Sequence, residues 1–213
     1  YTRASAVIVQ TEQAMGWLKD CYPDTNGRVI PNPVVYPLPD GEPAIEPGSE
    51  ISSDRRVAVA VGRLHQQKGF DRLLTAFKPL AEQFPDWDLV ILGEGSEREP
   101  LERLLEELGL AGRVYLPGRV GNVGDWYARA EVFVMSSRFE GFPNTLAEAM
   151  AHGLPAVSFD CEAGPRNIIR DGVDGQRVAP EAGTPGLTRA MDALMRDDNQ
   201  RRRMAEEATN VRE

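Results

Sequence analysis

Glu140 and Glu148 stand in the run Arg138-Phe139-Glu140-Gly141-Phe142-Pro143-Asn144-Thr145-Leu146-Ala147-Glu148-Ala149-Met150-Ala151-His152-Gly153-Leu154-Pro155. The first carboxylate falls in a loop leaving the apolar strand Val132–Met135, the second about one turn into the helix that follows. Pro143 sits where a first helical residue loses nothing by lacking an N–H. A helix start offers backbone donors to an anion, here the early-turn N–H groups of Thr145 and Leu146. Leu146, Ala149 and Met150 make the apolar face, which leaves Glu148 off the core and able to accept hydrogen bonds. A sugar joined to a phosphate needs that combination of anion-binding amides and hydroxyl-accepting carboxylates.

A second run, Gly62-Arg63-Leu64-His65-Gln66-Gln67-Lys68-Gly69, turns from a strand into a helix. Its glycines permit a tight turn or a close approach to ligand. Arg63 can fork two hydrogen bonds onto phosphate oxygens, and Lys68 adds a mobile point charge. An isolated pair of this kind would be two solvated surface cations. At the carboxyl end of a strand, beside a helix start, phosphate binding is the better reading.

The elements that must position these residues follow from the apolar runs. Runs recur at 57–61, 89–92, 114–116, 132–135, 155–158 and 176–178, with helical patterns between them at 70–84, 97–108, 126–130, 145–152 and 166–170. Alternation of this length predicts an α/β fold with a doubly wound parallel sheet, and continuous apolar runs suit strands buried on both faces. Ligands bind beyond the carboxyl ends of such strands, which is where Arg63, Arg119 and Glu140 fall. Two amphipathic patterns, 187–196 and 200–211, close the chain.

Ahead of the sheet, residues 6–9, 12–19 and 29–30 read as strand, helix, strand. Six prolines between Pro31 and Pro47 then exclude a helix or a central strand and predict a linker. The expected organisation is 1–34 as one remnant unit with its hinge, 35–54 as proline-rich linker, 55–198 as the main domain and 199–213 as the start of a closing helix. Ordered patterns running up to Tyr1 and Glu213 predict a piece of a longer protein. The first 34 residues and the last helix are expected to pack together, or with a neighbouring chain.

The composition, 213 residues with 41% apolar content, supplies a sizeable core. A net charge of −9 with interleaved signs argues against nucleic acid or a polybasic membrane patch as partner. Cys21 and Cys161 read as unpaired thiols, and nothing beside Cys161 looks like a base that would make it a nucleophile. Asp86 and Asp88 lie at the wrong end of their strand for a ligand and read as solvated loop acids, so no metal site is assigned. Gly93-Glu94-Gly95 resembles the opening of a dinucleotide fingerprint. Arg98 replaces its third glycine, and a nicotinamide cofactor is rejected. His152 reads as a cap on helix carbonyls, His65 as loop filler.

Taken in order, Gly62-Arg63 with Lys68-Gly69, Leu92-Gly93-Glu94-Gly95, Pro117-Gly118, Glu140-Gly141-Phe142 through Glu148, and Gly153-Leu154-Pro155 resemble the retaining glycosyltransferases of family 4. That family has the GT-B fold, two Rossmann-like domains facing a cleft. The likeness covers 57–178 as the carboxyl-terminal, nucleotide-sugar-binding domain, while 6–34 resembles the end of an acceptor domain and the hinge. The resemblance implies that Arg63 and Lys68 hold the diphosphate and stabilise charge as the sugar leaves. It implies that Glu148 accepts from ribose hydroxyls and that Glu140 contacts the donor sugar, helped by the backbone N–H groups in the stretch from Phe142 to Asn144, with Pro143, which has none, among the sugar-site residues. The backbone at Gly118 and Arg119 would read the base. It further implies a hexose-type sugar on a nucleoside diphosphate, a uridine diphosphate (UDP) sugar by preference, a metal-independent reaction and a glycan or lipid-linked acceptor held by the other domain. A cytoplasmic location, with the parent enzyme at the inner face of the membrane, goes with that reading. The alternatives are a nucleotide-binding fragment without activity of its own, or another GT-B enzyme such as a nucleotide-sugar epimerase or sugar-phosphate synthase.

Overall fold

The computed structural model describes residues 4–161 and 163–212; the terminal residues Tyr1 and Glu213, expected to lie in ordered elements, fall outside them. Strands β1 (Val7–Val9) and β2 (Gly27–Val29) pair in parallel around helix α1 (Glu12–Cys21). Helix α1 starts where the Thr11 side chain accepts from the Ala14 amide at 3.2 Å, satisfying one of the donors a helix start leaves open. The second strand was expected at 29–30 but ends at Val29: Ile30 donates one last backbone bond to Val9 and is then exposed. The prolines that follow form no helix or strand until the four-residue turn α2 (Pro47–Glu50).

The remaining strands form one sheet: β3 (Arg56–Val61), β4 (Trp87–Leu92), β5 (Val114–Gly118), β6 (Val132–Met135), β7 (Ala156–Phe159) and β8 (Gly175–Val178). All pairs are parallel, in the order β5-β4-β3-β6-β7-β8. Helices α3 (Phe70–Gln83), α4 (Arg98–Glu107), α5 (Val123–Arg129), α6 (Asn144–Ala151), α7 (Pro165–Ile168), α8 (Gly183–Arg196) and α9 (Asp198–Ala208) cover its faces.

The sheet divides two cores because successive side chains alternate between its faces. Ala58 and Ala60 of β3, with Leu89 and Ile91 of β4, meet Leu73, Phe77, Leu101, Leu187 and Leu194 from α3, α4 and α8. Val57 and Val59, with Val90 and Leu92, meet Trp126, Tyr127, Leu146 and Met150 from α5 and α6. Burying each large apolar side chain contributes roughly 1.5–3 kcal/mol, so both faces hold the strands in register.

Three expectations are corrected. Asp88 is not a solvated loop acid: it lies inside β4, fully buried, held by Arg55 at 2.5 Å and Arg113 at 3.0 Å. A carboxylate at the amino end of a central strand is tolerated there because two guanidiniums reach it. Pro143 immediately precedes α6 rather than opening it. The closing helix is anchored in the main domain, whereas the first 34 residues were expected to hold it. Met204 and Ala208 sit in the two cores, and the 209–212 turn packs on α6, where the Arg212 guanidinium bonds the Ala151 carbonyl and covers the Tyr36 ring. A cavity of about 1100 Å³ lies between the 10–12 segment and the turn at 210–212.

Candidate functional site

The chain enters the sheet at β3, moves outward through β4 and β5, then returns to β6 on the opposite side of β3. The loops after β3 and β6 therefore part at the reversal of strand order, where open α/β sheets bind ligands. Residues 62–69 and 136–143 are those loops.

Local rules shape each loop. His65 Nδ1 accepts from the Gln67 amide and caps the short 3-10 turn Gln66–Lys68, so the residue read as filler has a structural task. Gly69 closes that turn at φ 63° and begins α3. A side chain there would collide with the Ser136 carbonyl, so glycine lets the two loops touch. The contact is then stapled: Ser136 Oγ donates to the Lys68 carbonyl at 2.9 Å, the Arg138 amide to Gln67, and Gln67 Nε2 to the Phe139 carbonyl. Arg138 also bonds Asp71 at 2.6 Å.

Within this frame Lys68 Nζ lies 2.6 Å from Glu140 Oε1, and Ser137 Oγ donates to the same oxygen at 2.6 Å. The Glu140 side chain is 6% exposed and that of Lys68 19%. The two residues assigned to separate partners, a diphosphate and a sugar, are thus paired with each other. Cys161 Sγ donates to the Ser137 carbonyl at 3.2 Å. Burial, helped by the Glu140 charge, pushes its thiol up to about 11, which keeps it protonated and a poor nucleophile. Arg63 and Arg119 are exposed and make no ion pair with the described residues, so their guanidiniums stand open to an anion.

Helix α6 carries the second carboxylate. Glu148 is half-buried, and burial raises its carboxyl above the ordinary range while the neighbouring Tyr127 hydroxyl works the other way. Tyr127 is fully buried, and its hydroxyl also donates to the Thr145 carbonyl at 3.2 Å. Because the helix starts after Pro143, the Pro143 carbonyl takes the Leu146 amide at 3.1 Å and the Ala147 amide at 3.3 Å. Leu146 therefore does not offer the free early-turn N–H expected of it, and Thr145 keeps that place. The expected donors at 142–144 shrink as well. Pro143 has no N–H, and the Asn144 amide bonds the Phe142 carbonyl at 3.1 Å, which leaves Phe142. The Asn144 side chain instead accepts from Asn32 at 2.8 Å, and Asn32 accepts from Gln10 at 2.6 Å. That ladder ties the β1–β2 unit to the start of α6.

The Gly93-Glu94-Gly95 loop gains a structural reason. Gly93 has φ 143°, and any side chain there would strike the Gly62 carbonyl. Its amide donates to the Gly118 carbonyl at 2.8 Å, so glycine brings the β3, β4 and β5 ends together. Arg98, in the place of a third fingerprint glycine, pairs with Glu94 at 2.8 Å and bonds the Leu116 carbonyl. His152 caps the Glu148 carbonyl as expected, 2.7 Å from its Nδ1, and rests on Tyr127 and Tyr36. Among the described residues no group of three His, Cys, Asp or Glu side chains is placed to hold a metal, and no helix is long and apolar enough to cross a membrane. Ser137 and Tyr127 were not picked out from sequence, and Asn32 only within the stretch read as the hinge. Ser137 directly precedes the acidic run and could have been; Tyr127 sits in a helical pattern that reads as core, and Asn32 among linker prolines.

The family model for glycosyl transferases group 1 matches residues 42–211. An uncharacterized glycosyltransferase of Methanocaldococcus jannaschii is 34% identical over 174 residues, 79% of this chain and 43% of that protein. The amylovoran biosynthesis glycosyltransferase AmsD of Erwinia amylovora is 31% identical over 171 residues, 80% of this chain and 48% of that protein. The chain thus spans less than half the length of these two relatives. Among solved structures, a TarM mutant of S. aureus in complex with fondaparinux, alpha-GlcNAc-glycerol and UDP superposes with a TM-score of 0.86 at 20% identity, over 99% of this chain and 41% of that one. That likeness shows the fold, a Rossmann-like α/β domain.

Proposed function

Because the chain belongs to the glycosyl transferases group 1 family, we propose that it forms the donor-binding half of a retaining glycosyltransferase of family 4, taking a hexose-type sugar from a UDP-sugar. The observation that carries this reading is the stapled pair of loops at the strand-order reversal, which pairs Lys68 with the Glu140 carboxylate at the strand ends where Arg63 also emerges. In this reading Arg63 and Lys68 grip the diphosphate and stabilise the charge that develops on it as the sugar departs, the effect that contributes most to such transfers. Glu148, steadied by Tyr127, accepts from the ribose hydroxyls. Glu140, with the Phe142 amide, contacts the sugar; Thr145 offers an amide to phosphate; and the backbone at Gly118 and Arg119 lines the base. No metal is assigned a part.

The acceptor, a glycan or a lipid-linked saccharide, would be held by residues that the longer relatives have beyond the matched segment, with the parent enzyme in the cytoplasm at the inner face of the membrane. The chain by itself would then hold donor without transferring it. An epimerase would need catalytic acids and a histidine facing the sugar from both domains; within this chain His65 caps a turn and His152 rests between two tyrosines.

Titration calorimetry with UDP tests the reading, with and without chelator. A charge-assisted hydrogen bond contributes about 1.5–3 kcal/mol, so Arg63→Ala should weaken UDP by roughly tenfold or more, and chelator should change nothing. Equal affinity of the Arg63 variant, or loss of binding with chelator, refutes the assignment.

A further inference from the structure

Glu140 Oε1 takes two donors at 2.6 Å, the Lys68 ammonium and the Ser137 hydroxyl, in a pocket that leaves its side chain 6% exposed. Ser137 is itself anchored, since its carbonyl accepts from the buried Cys161 thiol. Glu140 is therefore held in place without Lys68, whereas Lys68, on a flexible stem and 19% exposed, can turn to another anion. A diphosphate arriving beside Arg63 competes with Glu140 for that ammonium. When Lys68 moves, a nearly buried carboxylate loses its cation, which is costly unless new donors replace it. Sugar hydroxyls supply such donors; a bare diphosphate has none at that position.

We propose that Glu140 is the residue that makes this site discriminate between the intact nucleotide-sugar and the nucleoside diphosphate left after transfer, by holding Lys68 against the diphosphate unless a sugar hydroxyl compensates. This inference rests on the nucleotide-sugar reading of the same site. Its consequence is that product leaves readily once the sugar has gone. Arg63, without a carboxylate partner, grips both ligands alike, so discrimination resides in the Lys68–Glu140 pair.

The test is calorimetry of the unchanged chain, Glu140→Gln, Lys68→Met and the double variant with UDP and with UDP-glucose, folding being checked by thermal melting. Glu140→Gln keeps the shape and releases Lys68, so it should bind UDP about tenfold more tightly while its preference for UDP-glucose over UDP shrinks. In the Lys68→Met background the same change should leave UDP affinity unaltered. Glu140→Ala gives a second removal of the carboxylate should the glutamine variant fold poorly, and the same gain is expected. If the unchanged chain binds UDP but removal of the Glu140 carboxylate leaves UDP affinity equal or weaker, this inference falls and the nucleotide-sugar reading stands. If the unchanged chain binds neither ligand, both fall together.

Discussion

Glu148 of helix α6 lies against the buried hydroxyl of Tyr127 on helix α5, and burial holds its carboxyl above the ordinary glutamate range despite that neighbour. The raised value means that the proton is bound more readily in the folded chain than in the unfolded one. Stability from this group is full below the ordinary glutamate value and is lost as pH rises through the raised one. Ribose recognition runs the other way, because it needs the ionised acceptor.

Nucleotide affinity should therefore fall as pH drops through the raised Glu148 value, at a higher pH than an ordinary glutamate would give. Glu148→Gln should bind more weakly at neutral pH and lose that limb of the profile. Subtracting the variant's profile from that of the unchanged chain cancels titration of the nucleotide phosphates. Parallel profiles would remove Glu148 from the ribose site. Tyr127→Phe should shift the limb further upward, since it removes a donor to the carboxylate.

Asp88 predicts stability without function. It is fully buried between Arg55 and Arg113 at the amino end of β4, the end of the sheet away from the site. Removing one member of a buried ion pair costs about 3–5 kcal/mol when a charge is left without partner. Here both arginines are about one quarter exposed, so Asp88→Ala should fall at the low end, ~3 kcal/mol. Denaturant unfolding measures the loss, and UDP affinity should stay within twofold, a ratio worth ~0.4 kcal/mol.

The two thiols should separate by reactivity. Cys21 is exposed, while Cys161 is buried with its thiol raised to about 11. Iodoacetamide near neutral pH should label Cys21 first, with Cys161 reacting only on unfolding, because alkylation requires thiolate and access. Peptide mapping over time reads this directly, and early labelling of Cys161 would contradict its described surroundings.

Deleting residues 1–34 should leave helix α9 protected from amide exchange, because Met204 and Ala208 anchor it in the two cores and Arg212 ties the following turn to α6. The same deletion cuts the Gln10–Asn32–Asn144 ladder, so the start of α6 should exchange faster. Faster exchange across α9 would restore the packing first expected from the sequence.

Incubated with UDP-glucose and a glycan acceptor, the chain alone should give slow donor hydrolysis and no transfer. Positioning an acceptor against the donor carbon can contribute ~7–11 kcal/mol of barrier lowering. Chromatography of the products decides it, and efficient transfer would show that the chain positions an acceptor unaided.

Much of this protein is local, and the sequence determined that part. Apolar runs such as Val132–Met135 can only be strands buried on both faces, and their alternation with amphipathic helices leads to a doubly wound sheet. The same rule placed Arg63, Arg119 and Glu140 beyond the strand ends, because the side of a parallel sheet on which a loop emerges follows from chain direction alone. Tertiary structure decided what those side chains touch. No spacing joins Lys68 to Glu140, 72 residues apart, or Asp88 to Arg55 and Arg113. Such pairs form only when strand order brings distant loops together, and a buried charge then takes whichever partner geometry allows. One residue at the start of α6 also had to be seen: with Pro143 outside the helix, its carbonyl claims the Leu146 amide, and hydrogen bonds this close to a helix end turn on a boundary that sequence pattern leaves loose.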